Sequence, residues 1–210
     1  MEYKKQSLLH LGAVDTIVLI TAPSGAGKTS IVKHLLKRVK DAEFSVSAAS
    51  RSPRDGEIHG KDYWFMNEAQ FKTKIENDEF VEFEEVYPGS FYGTLKAEFK
   101  RIFGSNHFPV LDVDVKGAMR VQDLYPSNTI SIFIDVPSVE ILEERLRKRP
   151  DMQNVPEEKI KERLKRAEEE RTFKKYFDNS VMNKLLDVAQ FEVETMVKNF
   201  INPPVKVSTL

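Results

Sequence analysis

The chain has 210 residues, of which 40% are hydrophobic and 31% are charged, as is typical of a single soluble globular core. Its 33 acidic and 32 basic residues nearly cancel, so no net field favours nucleic acid or a membrane as partner. The lack of cysteine excludes disulfides and thiolate metal sites. No apolar run approaches the roughly 20 residues of a membrane span, and no leader segment is recognisable. We therefore expect a cytoplasmic protein with small-molecule partners.

The first predicted elements are a strand and a helix joined by a short turn. Thr16–Thr21 is an apolar, β-branched run, which predicts a buried strand. A small-residue turn follows, and Lys28–Lys40 then has the apolar spacing of a helix. The predicted buried face of that helix consists of Ile31, Val32, Leu35, Leu36 and Val39.

The turn between them has the composition of a phosphate-binding P-loop. Gly25 and Gly27 allow successive N–H groups to point at phosphate oxygens, and the helix N-terminus adds partial positive charge. Lys28 can reach the β- and γ-phosphates, and the Thr29 hydroxyl can ligate Mg²⁺. The full motif begins with Gly, whereas this chain has Ala22. The alternative is a glycine-rich turn that binds nothing.

A polar loop with two arginines comes next. We expect a short strand at Phe44–Ser47 and then loop as far as Tyr63. Arg51 and Arg54 lie in this loop, and Glu57 is close enough in sequence to orient them. Two guanidinium groups on one loop suit a dianionic phosphate, although a solvated charged loop is the alternative.

The following segment predicts mostly β-structure. Tyr63–Met66 and Glu79–Val86 are expected strands, and Asn67 is expected to cap a helix that runs to Lys74. Phe71 and Ile75 should face inward on that helix. A Pro-Gly turn at 88–89 then precedes a helical pattern that ends at Phe103. Most carboxylates of the predicted strand Glu79–Val86 are expected to be solvated.

Acidic residues close the next buried strand. Pro109–Val115 contains Asp112 and Asp114, and Lys116-Gly117 opens a helix. Carboxylates at the carboxyl end of a core strand lie where α/β sheets bind ligands. Asp112 is a candidate to hold Mg²⁺ directly or through water. The alternative is that both residues only cap the end of the strand.

The remaining chain predicts a strand, a helical hairpin, a strand and a helix. Thr129–Val136 is a core strand, Pro137-Ser138 caps a helix at Val139–Lys148, and Pro156 opens a helix at Glu157–Phe173. The hairpin is rich in basic residues: Arg145, Arg147, Lys148, Arg149, Arg163 and Arg166. Such a hairpin is a solvated arm by default and a candidate lid beside a P-loop. Phe177–Met182 and Asp187–Phe200 complete the pattern.

Strands separated by helices predict an α/β doubly wound parallel sheet. With these motifs in it, the chain resembles the guanylate kinases, P-loop nucleoside monophosphate kinases, over roughly residues 15–200. The resemblance rests on Ala-Pro-Ser-Gly-Ala-Gly-Lys-Thr (22–29), Ser-Val-Ser-x-x-x-Arg-x-Pro-Arg-x-Gly-Glu (45–57), Gly-x-Asp-Tyr (60–63), Glu-Phe-Val-Glu-Phe (79–83), Tyr-Gly-Thr (92–94), Leu-Asp-Val-Asp-Val-x-Gly (111–117), and Arg145, Arg149 and Arg163.

The resemblance implies a division of the chain. Residues 15–44, 96–144 and 177–200 would form the P-loop core, 45–95 a small β-rich GMP-binding lobe, and 145–176 a helical lid with its flanking helices. Residues 1–14 and 201–210 would be terminal tails.

The resemblance also implies an acceptor site for GMP. Glu82 would accept from guanine N1–H and N2–H₂, donors that adenine does not present, and the phosphate would lie among the arginines and tyrosines. The implied GMP-binding residues are Ser47, Arg51, Arg54, Glu57, Tyr63, Glu82, Tyr92, Thr94, Asp112 and Asp114.

The donor would be ATP with Mg²⁺. The implied ATP-binding residues are Ala22, Pro23, Ser24, Gly25, Ala26, Gly27, Lys28, Thr29, Ser30 and Asn183, of which Thr29 would ligate Mg²⁺ and Asn183 would pack by the adenine. The implied catalytic residues are Lys28, Arg145, Arg149 and Arg163.

The chain departs from the family pattern at four further places. Ala48-Ala49-Ser50 replaces more hydroxylated residues, and the turn Tyr87-Pro88-Gly89-Ser90 is one residue longer. The lid segment 150–155 is also longer, and Met182-Asn183-Lys184 replaces Val-Asn-Asp.

The expected reaction is transfer of the ATP γ-phosphate to GMP, and to dGMP, giving ADP and GDP in purine nucleotide metabolism. Two alternatives stay open: a catalytically inactive guanylate-kinase-like module that binds phosphorylated peptides, and a P-loop kinase of another small phosphorylated acceptor. A monomer and a homodimer are both compatible with the sequence.

Overall fold

The computed structural model of the chain describes residues 8–12, 15–149, 152 and 155–203. The predicted tails therefore lie partly outside the described residues, as does most of the lid segment 150–155. Two compact units form, Met1–Ile17 with Asp41–Thr129 and Val18–Lys40 with Ile130–Leu210. We describe each unit separately.

The first unit contains a parallel strand pair and a small four-stranded sheet. Its elements are β2 (Ala42–Phe44), β3 (Ala48–Ala49), β4 (Trp64–Phe65), α2 (Glu68–Glu76), β5 (Phe80–Tyr87), β6 (Ser90–Leu95), α3 (Lys96–Gly104), β7 (Phe108–Asp112) and α4 (Val115–Leu124). β2 pairs in parallel with β7. The small sheet has the order β4-β3-β6-β5, in which β3 is parallel to β4 and antiparallel to β6.

The strand prediction at Phe44–Ser47 was partly wrong. β2 ends at Phe44, and a separate two-residue strand, β3, lies in what was predicted to be loop. β3 forms because two carbonyls at its ends accept hydrogen bonds from the segment that contains β4: Trp64 N–H donates to Ser47 O, and Met66 N–H donates to Ala49 O. Such pairing is set by distant residues, so the local pattern does not reveal it.

The helix after Asn67 begins as predicted. The Asn67 side chain accepts from Gln70 N–H at 2.8 Å, and the Gln70 side chain accepts from Asn67 N–H at 2.9 Å. This reciprocal capping box satisfies two backbone donors that the helix itself leaves unpaired. It sets the entry of α2 onto the small sheet.

A phenylalanine cluster holds α2 against that sheet. Phe71 is fully buried, with ring centroids 4.3 Å from Phe80 and 5.6 Å from Phe91. Phe83, Leu95 and the partly buried Ile75 join the cluster. The predicted inward orientation of Phe71 and Ile75 is confirmed.

The second unit contains the predicted strand–loop–helix and the helical hairpin. Its elements are β1 (Ile17–Thr21), α1 (Lys28–Arg38), β8 (Thr129–Asp135), α5 (Val139–Arg147), α6 (Glu157–Arg171), a 3₁₀ helix (Thr172–Tyr176), β9 (Asn179–Met182) and α7 (Leu186–Ile201). β8 lies beside β1 and pairs in parallel with β9, with Ile134 opposite Val181.

The helices α5 and α6 pack as a hairpin. Leu146, Met152 and Ile160 form a buried cluster, with Val155 and Leu164 packed against it. Asp135 at the end of β8 anchors the far end of α6, since its carboxylate accepts from Arg171 Nε at 2.8 Å. Neither helix carries its arginines into this core, so these side chains remain on the surface of the hairpin.

The predicted helix after Pro137-Ser138 is confirmed, with Ser138 at the N-cap of α5, although its side chain makes no capping hydrogen bond. The predicted end of the following helix was wrong. α6 ends at Arg171 and tightens into the 3₁₀ helix before Phe173. On the last helix, Phe191 and Phe200 are 70% and 38% exposed, because Ala189, Val193 and Val197 lie on its buried face.

No helix among the described residues combines the length and apolarity needed to cross a bilayer.

Phe71→Ala should lower the free energy of unfolding by about 3–5 kcal/mol, because it removes a fully buried ring from the cluster. Urea denaturation measures the change. Phe191→Ala is the matched control: its ring is 70% exposed, so we expect a change within about 0.5 kcal/mol. Equal losses in the two variants would contradict the assignment of the core.

Candidate active site

In the first unit, Arg51 is held in place by an acidic and an aromatic partner. Its Nη1 donates to Glu57 Oε2 at 2.6 Å and its Nη2 to Glu57 Oε1 at 2.8 Å. Its Nε donates to the Tyr92 hydroxyl at 3.2 Å. The guanidinium carbon also lies 5.1 Å from the centroid of the Tyr63 ring. The sequence predicted that Glu57 braces the arginines, and this geometry confirms the contact with Arg51.

Glu57 braces the loop as well as the side chain. Its carboxylate accepts from Arg54 N–H at 2.7 Å. Hydrogen bonding from Arg51 lowers the pKa of Glu57 to about 2, so the pair is ionised at neutral pH. Two aromatic rings, Tyr63 and Tyr92, lie edge to face with centroids 5.9 Å apart. Arg51 Nη1 also donates to Ser52 O at 3.0 Å. The guanidinium is therefore fixed in position on the same loop as Arg54, an arrangement suited to binding an anion.

Glu82 is the second feature of this unit, and it is almost completely buried, with 3% of its surface exposed. The Thr94 hydroxyl, also buried, donates to Glu82 Oε1 at 2.7 Å. Burial raises the pKa of Glu82 to about 7; the nearby Asp114 charge adds to the rise, and Thr94 and Arg120 oppose it. The expectation that most carboxylates of this strand are solvated holds for its other members, since Glu85 is exposed and Glu79 and Glu84 are half-buried, and Glu82 is the exception.

A glycine makes room for the Glu82 carboxylate. A Cβ at Gly117 would lie 2.9 Å from Glu82 Oε2, which is too close for any side chain. Gly117 N–H donates to Asp114 Oδ1 at 2.8 Å. Gly117 and Arg120 were not predicted as site residues, although Gly117 closes the run Leu-Asp-Val-Asp-Val-x-Gly at 111–117.

Asp114 is the N-cap of α4, a role different from the strand-end cap that the sequence left open. Asp112 is half-buried and is the last residue of β7. The predicted strand Pro109–Val115 was therefore too long at its carboxyl end, because Val115 already begins α4. Ser47 is half-buried. The Thr94 hydroxyl uses its one proton in the hydrogen bond to Glu82. In this structure Thr94 therefore orients the Glu82 carboxylate.

In the second unit, the loop before α1 has the backbone of an anion cradle. Gly25 and Gly27 have φ values of 91° and 94°, a left-handed conformation that side chains disfavour. Gly27 is the N-cap of α1, with no side-chain capping bond and no acidic residue in the first turn. The positive end of α1 is therefore open to an anion.

Ala22 is accommodated at the first position of the motif. Among the described non-glycine residues, only Asp41, Asp78 and Asn106 have positive φ. Ala22 thus avoids the left-handed region that would require glycine, and its departure from the motif causes no backbone strain.

The remaining predicted donor-side residues have defined positions. Lys28 and Thr29 are the first two residues of α1, and Ser30 N–H donates to Gly27 O at 3.1 Å. Arg145 is on α5 and its Nη2 donates to Asn183 O at 3.0 Å. Arg149 follows α5 and is exposed, and Arg163 lies on α6 and is half-buried.

Few side chains among the described residues are placed to ligate Mg²⁺. Within the part of the chain that the structure describes, no group of three or more His, Asp or Glu side chains could hold a metal. Thr29 is exposed in the first turn of α1. This fits Mg²⁺ that is held mainly by substrate phosphates and takes few protein ligands.

Comparisons with known proteins agree with this geometry. The guanylate kinase family model matches residues 14–200. The guanylate kinase of Chlorobium chlorochromatii is 40% identical over 185 residues, which cover 88% of this chain and 95% of that protein. That of Bacteroides thetaiotaomicron is 38% identical, with 89% and 90% covered. The crystal structure of guanylate kinase from Anaplasma phagocytophilum superposes with a TM-score of 0.70 at 26% identity, over 90% of this chain and 87% of that one.

The fold and site define a P-loop nucleoside monophosphate kinase. The chain belongs to the guanylate kinase family. The predicted α/β fold with a parallel sheet core, the predicted family and the predicted class of enzyme are confirmed. The match favours neither the inactive binding module nor a kinase of another acceptor.

The buried carboxylate should make stability depend on pH. Between its ordinary pKa and about 7, folded Glu82 keeps a proton that the unfolded chain has lost, so stability falls as pH rises through this window. The free energy of unfolding of the wild type, relative to Glu82→Gln, should fall by about 2 kcal/mol from about pH 5.5 to about pH 8. Urea denaturation at the two pH values measures this difference.

Glu57→Gln is the control for that measurement. The Glu57 pKa of about 2 keeps its carboxylate ionised in the folded state at both pH values, so its effect on stability should be the same at each. A pH-independent difference for Glu82→Gln would contradict the raised pKa.

Proposed function

We propose that this chain transfers the γ-phosphate of ATP to GMP, and to dGMP, in a Mg²⁺-dependent reaction that yields ADP and GDP for purine nucleotide metabolism. The observation that carries the proposal is the buried Glu82 carboxylate oriented by Thr94. A buried carboxylate is stabilised in its ionised form by hydrogen-bond donors, and a bound base can add donors to the one that Thr94 supplies. Guanine supplies them from N1–H and N2–H₂, whereas adenine presents an acceptor at N1.

Discrimination follows from that requirement. With the wrong base, Glu82 and Ser47 would lose partners inside the protein, and an unpaired buried polar group costs orders of magnitude in specificity. We keep Asp112 and Asp114 as proposed neighbours of the acceptor. The proposed contacts are to base and phosphate only, which supports the use of dGMP.

The acceptor phosphate would bind the braced arginine site. Arg51 is fixed by Glu57 and Tyr92, and we propose that it binds the phosphate together with Arg54, Tyr63 and the Tyr92 hydroxyl. Fixing the phosphate matters because catalysis in phosphoryl transfer is mainly positioning and charge neutralisation. On binding, the phosphate would share or take over Arg51 donors that Glu57 and Tyr92 accept in this structure.

The triphosphate of ATP would bind Ala22–Ser30, with Lys28 at the β- and γ-phosphates. When bound, Mg²⁺ would neutralise phosphate charge, and Thr29 Oγ1 is its proposed protein ligand. Asp112 is proposed to act on it through water. In the chemical step a GMP phosphate oxygen bonds to the γ-phosphorus, and the bond from that phosphorus to the bridging oxygen of ADP breaks. Arg145, Arg149 and Arg163 would stabilise the charge of the transferring group.

The lid and the other domain boundaries predicted from the sequence are part of the proposal. Residues 145–176 would exclude water on closure, which prevents hydrolysis of ATP. We also propose a cytoplasmic location and small-molecule partners only, supported by the cysteine-free composition and the net charge of −1.

The function is tested by ADP production from ATP and Mg²⁺ with GMP, dGMP, AMP, CMP and UMP offered separately. We expect turnover with GMP and dGMP and at least ~10³-fold less with the others. Lys28→Ala, purified identically, controls for contaminating kinases and should lose at least ~10²-fold in kcat. Comparable turnover with AMP would contradict the proposal, as would full activity of Lys28→Ala.

A further inference from the structure

We propose that Asn183 is a positioning residue that fixes the P-loop peptide between Ala26 and Gly27 for polyphosphate binding. The identity of the ligand, the triphosphate of a nucleotide, rests on the proposed function. The role itself is argued from contacts within the second unit. It differs from the adenine contact that the sequence pattern implied for this residue.

The Asn183 side chain is buried against the loop. Only 1% of the residue is exposed, and its Nδ2 donates to Ala26 O at 2.7 Å. A carbonyl oxygen can only accept, so this contact also determines which end of the amide faces the loop. Asn183 Oδ1 has no hydrogen-bond partner among the described residues, so the Ala26 contact is what orients the side chain.

That contact determines where a neighbouring N–H group points. The peptide bonds of the described residues are all trans, and in a planar trans peptide the C=O and N–H bonds point in opposite directions. With Ala26 O held toward Asn183, the N–H of Gly27 is directed to the other side of the loop. Gly27 is also the N-cap of α1, where inward N–H groups bind phosphate oxygens.

The lack of a side chain at Gly27 belongs to the same arrangement. A Cβ there would lie 2.5 Å from Asn183 Nδ2, so the amide occupies space that only glycine leaves free. Two features therefore favour glycine at this position: the left-handed φ of 94° at Gly27 and the buried Asn183 amide beside its Cα. This explains a glycine at position 27 by packing as well as by backbone conformation.

Asn183 is itself anchored on both sides. Its N–H donates to Asp135 O at 2.8 Å, which extends the β8–β9 pairing by one residue. Its carbonyl accepts from Arg145 Nη2 at 3.0 Å. One residue thus links the strand end, the P-loop and a lid arginine. Because the link runs through backbone and phosphate geometry, it should serve any polyphosphate, whatever base is attached.

The test is binding of Mg·ATP and of Mg·tripolyphosphate, which has no base, measured by calorimetry on the full chain. Asn183→Ala should weaken both ligands by a similar factor, about 10- to 100-fold. Asn183→Leu keeps the volume without the donor and should give the same pattern, which covers the case in which the alanine variant unfolds.

Asn128 provides the matched control. Its Nδ2 also donates to main-chain carbonyls, of Gly12 at 2.9 Å and Asp15 at 2.7 Å, but within the first unit. Asn128→Ala should lower thermal stability and leave both affinities within about twofold of the wild type. Stability loss alone therefore cannot account for weaker binding in the Asn183 variants.

Two results would overturn the inference: weaker binding of ATP with unchanged tripolyphosphate, which assigns Asn183 to the base, or no change in either ligand. If the wild type phosphorylates none of the nucleoside monophosphates but the Asn183 variants still lose affinity for tripolyphosphate, the proposed function fails and the positioning role stands.

Discussion

The constraint on which the first unit depends is a carboxylate kept out of water. Glu82 is buried, hydrogen-bonded by Thr94 and given space by Gly117, and its raised pKa records that this environment disfavours the ion. Evolution commonly retains such a group at a cost in stability where function needs it. A ligand that donates hydrogen bonds to Glu82 would replace the water contacts that burial removes. Glu82 can therefore distinguish bases by the donors that they present.

The candidate site of the second unit is formed by backbone groups, whereas that of the first unit is formed by side chains. The anion site of the second unit consists of two left-handed glycines and a helix N-terminus without a capping side chain. Backbone N–H groups bind phosphate without choosing a base, so donor binding needs geometry more than side-chain chemistry. Asn183 supplies that geometry from the neighbouring strand end. In the proposed function, recognition of the acceptor would therefore rest on charged and polar side chains, and recognition of the donor on peptide orientation.

The sequence predicted the features that local chemistry determines. The strand–loop–helix at Thr16–Lys40 and the capping box at Asn67 follow from residue types at fixed spacing. It could not predict the burial of Glu82. Strict alternation along β5 would put Glu82 on the opposite face from Val81 and Phe83, yet all three are buried, and the pairing with β6 shifts register between Phe80 and Glu82. Contacts such as Asn183 with Ala26 join residues 157 positions apart, so they require the fold itself.

The central claim is that GMP binds the ionised form of Glu82, and proton release on GMP binding tests it most directly. Calorimetry at about pH 6.5 in two buffers of different ionisation enthalpy gives the number of protons released. With a pKa of about 7, free Glu82 is about three-quarters protonated there, so the wild type should release about 0.7 proton more per GMP than Glu82→Gln. The subtraction removes the contribution of the GMP phosphate, which is common to both proteins. Equal proton release by the two proteins would contradict the account.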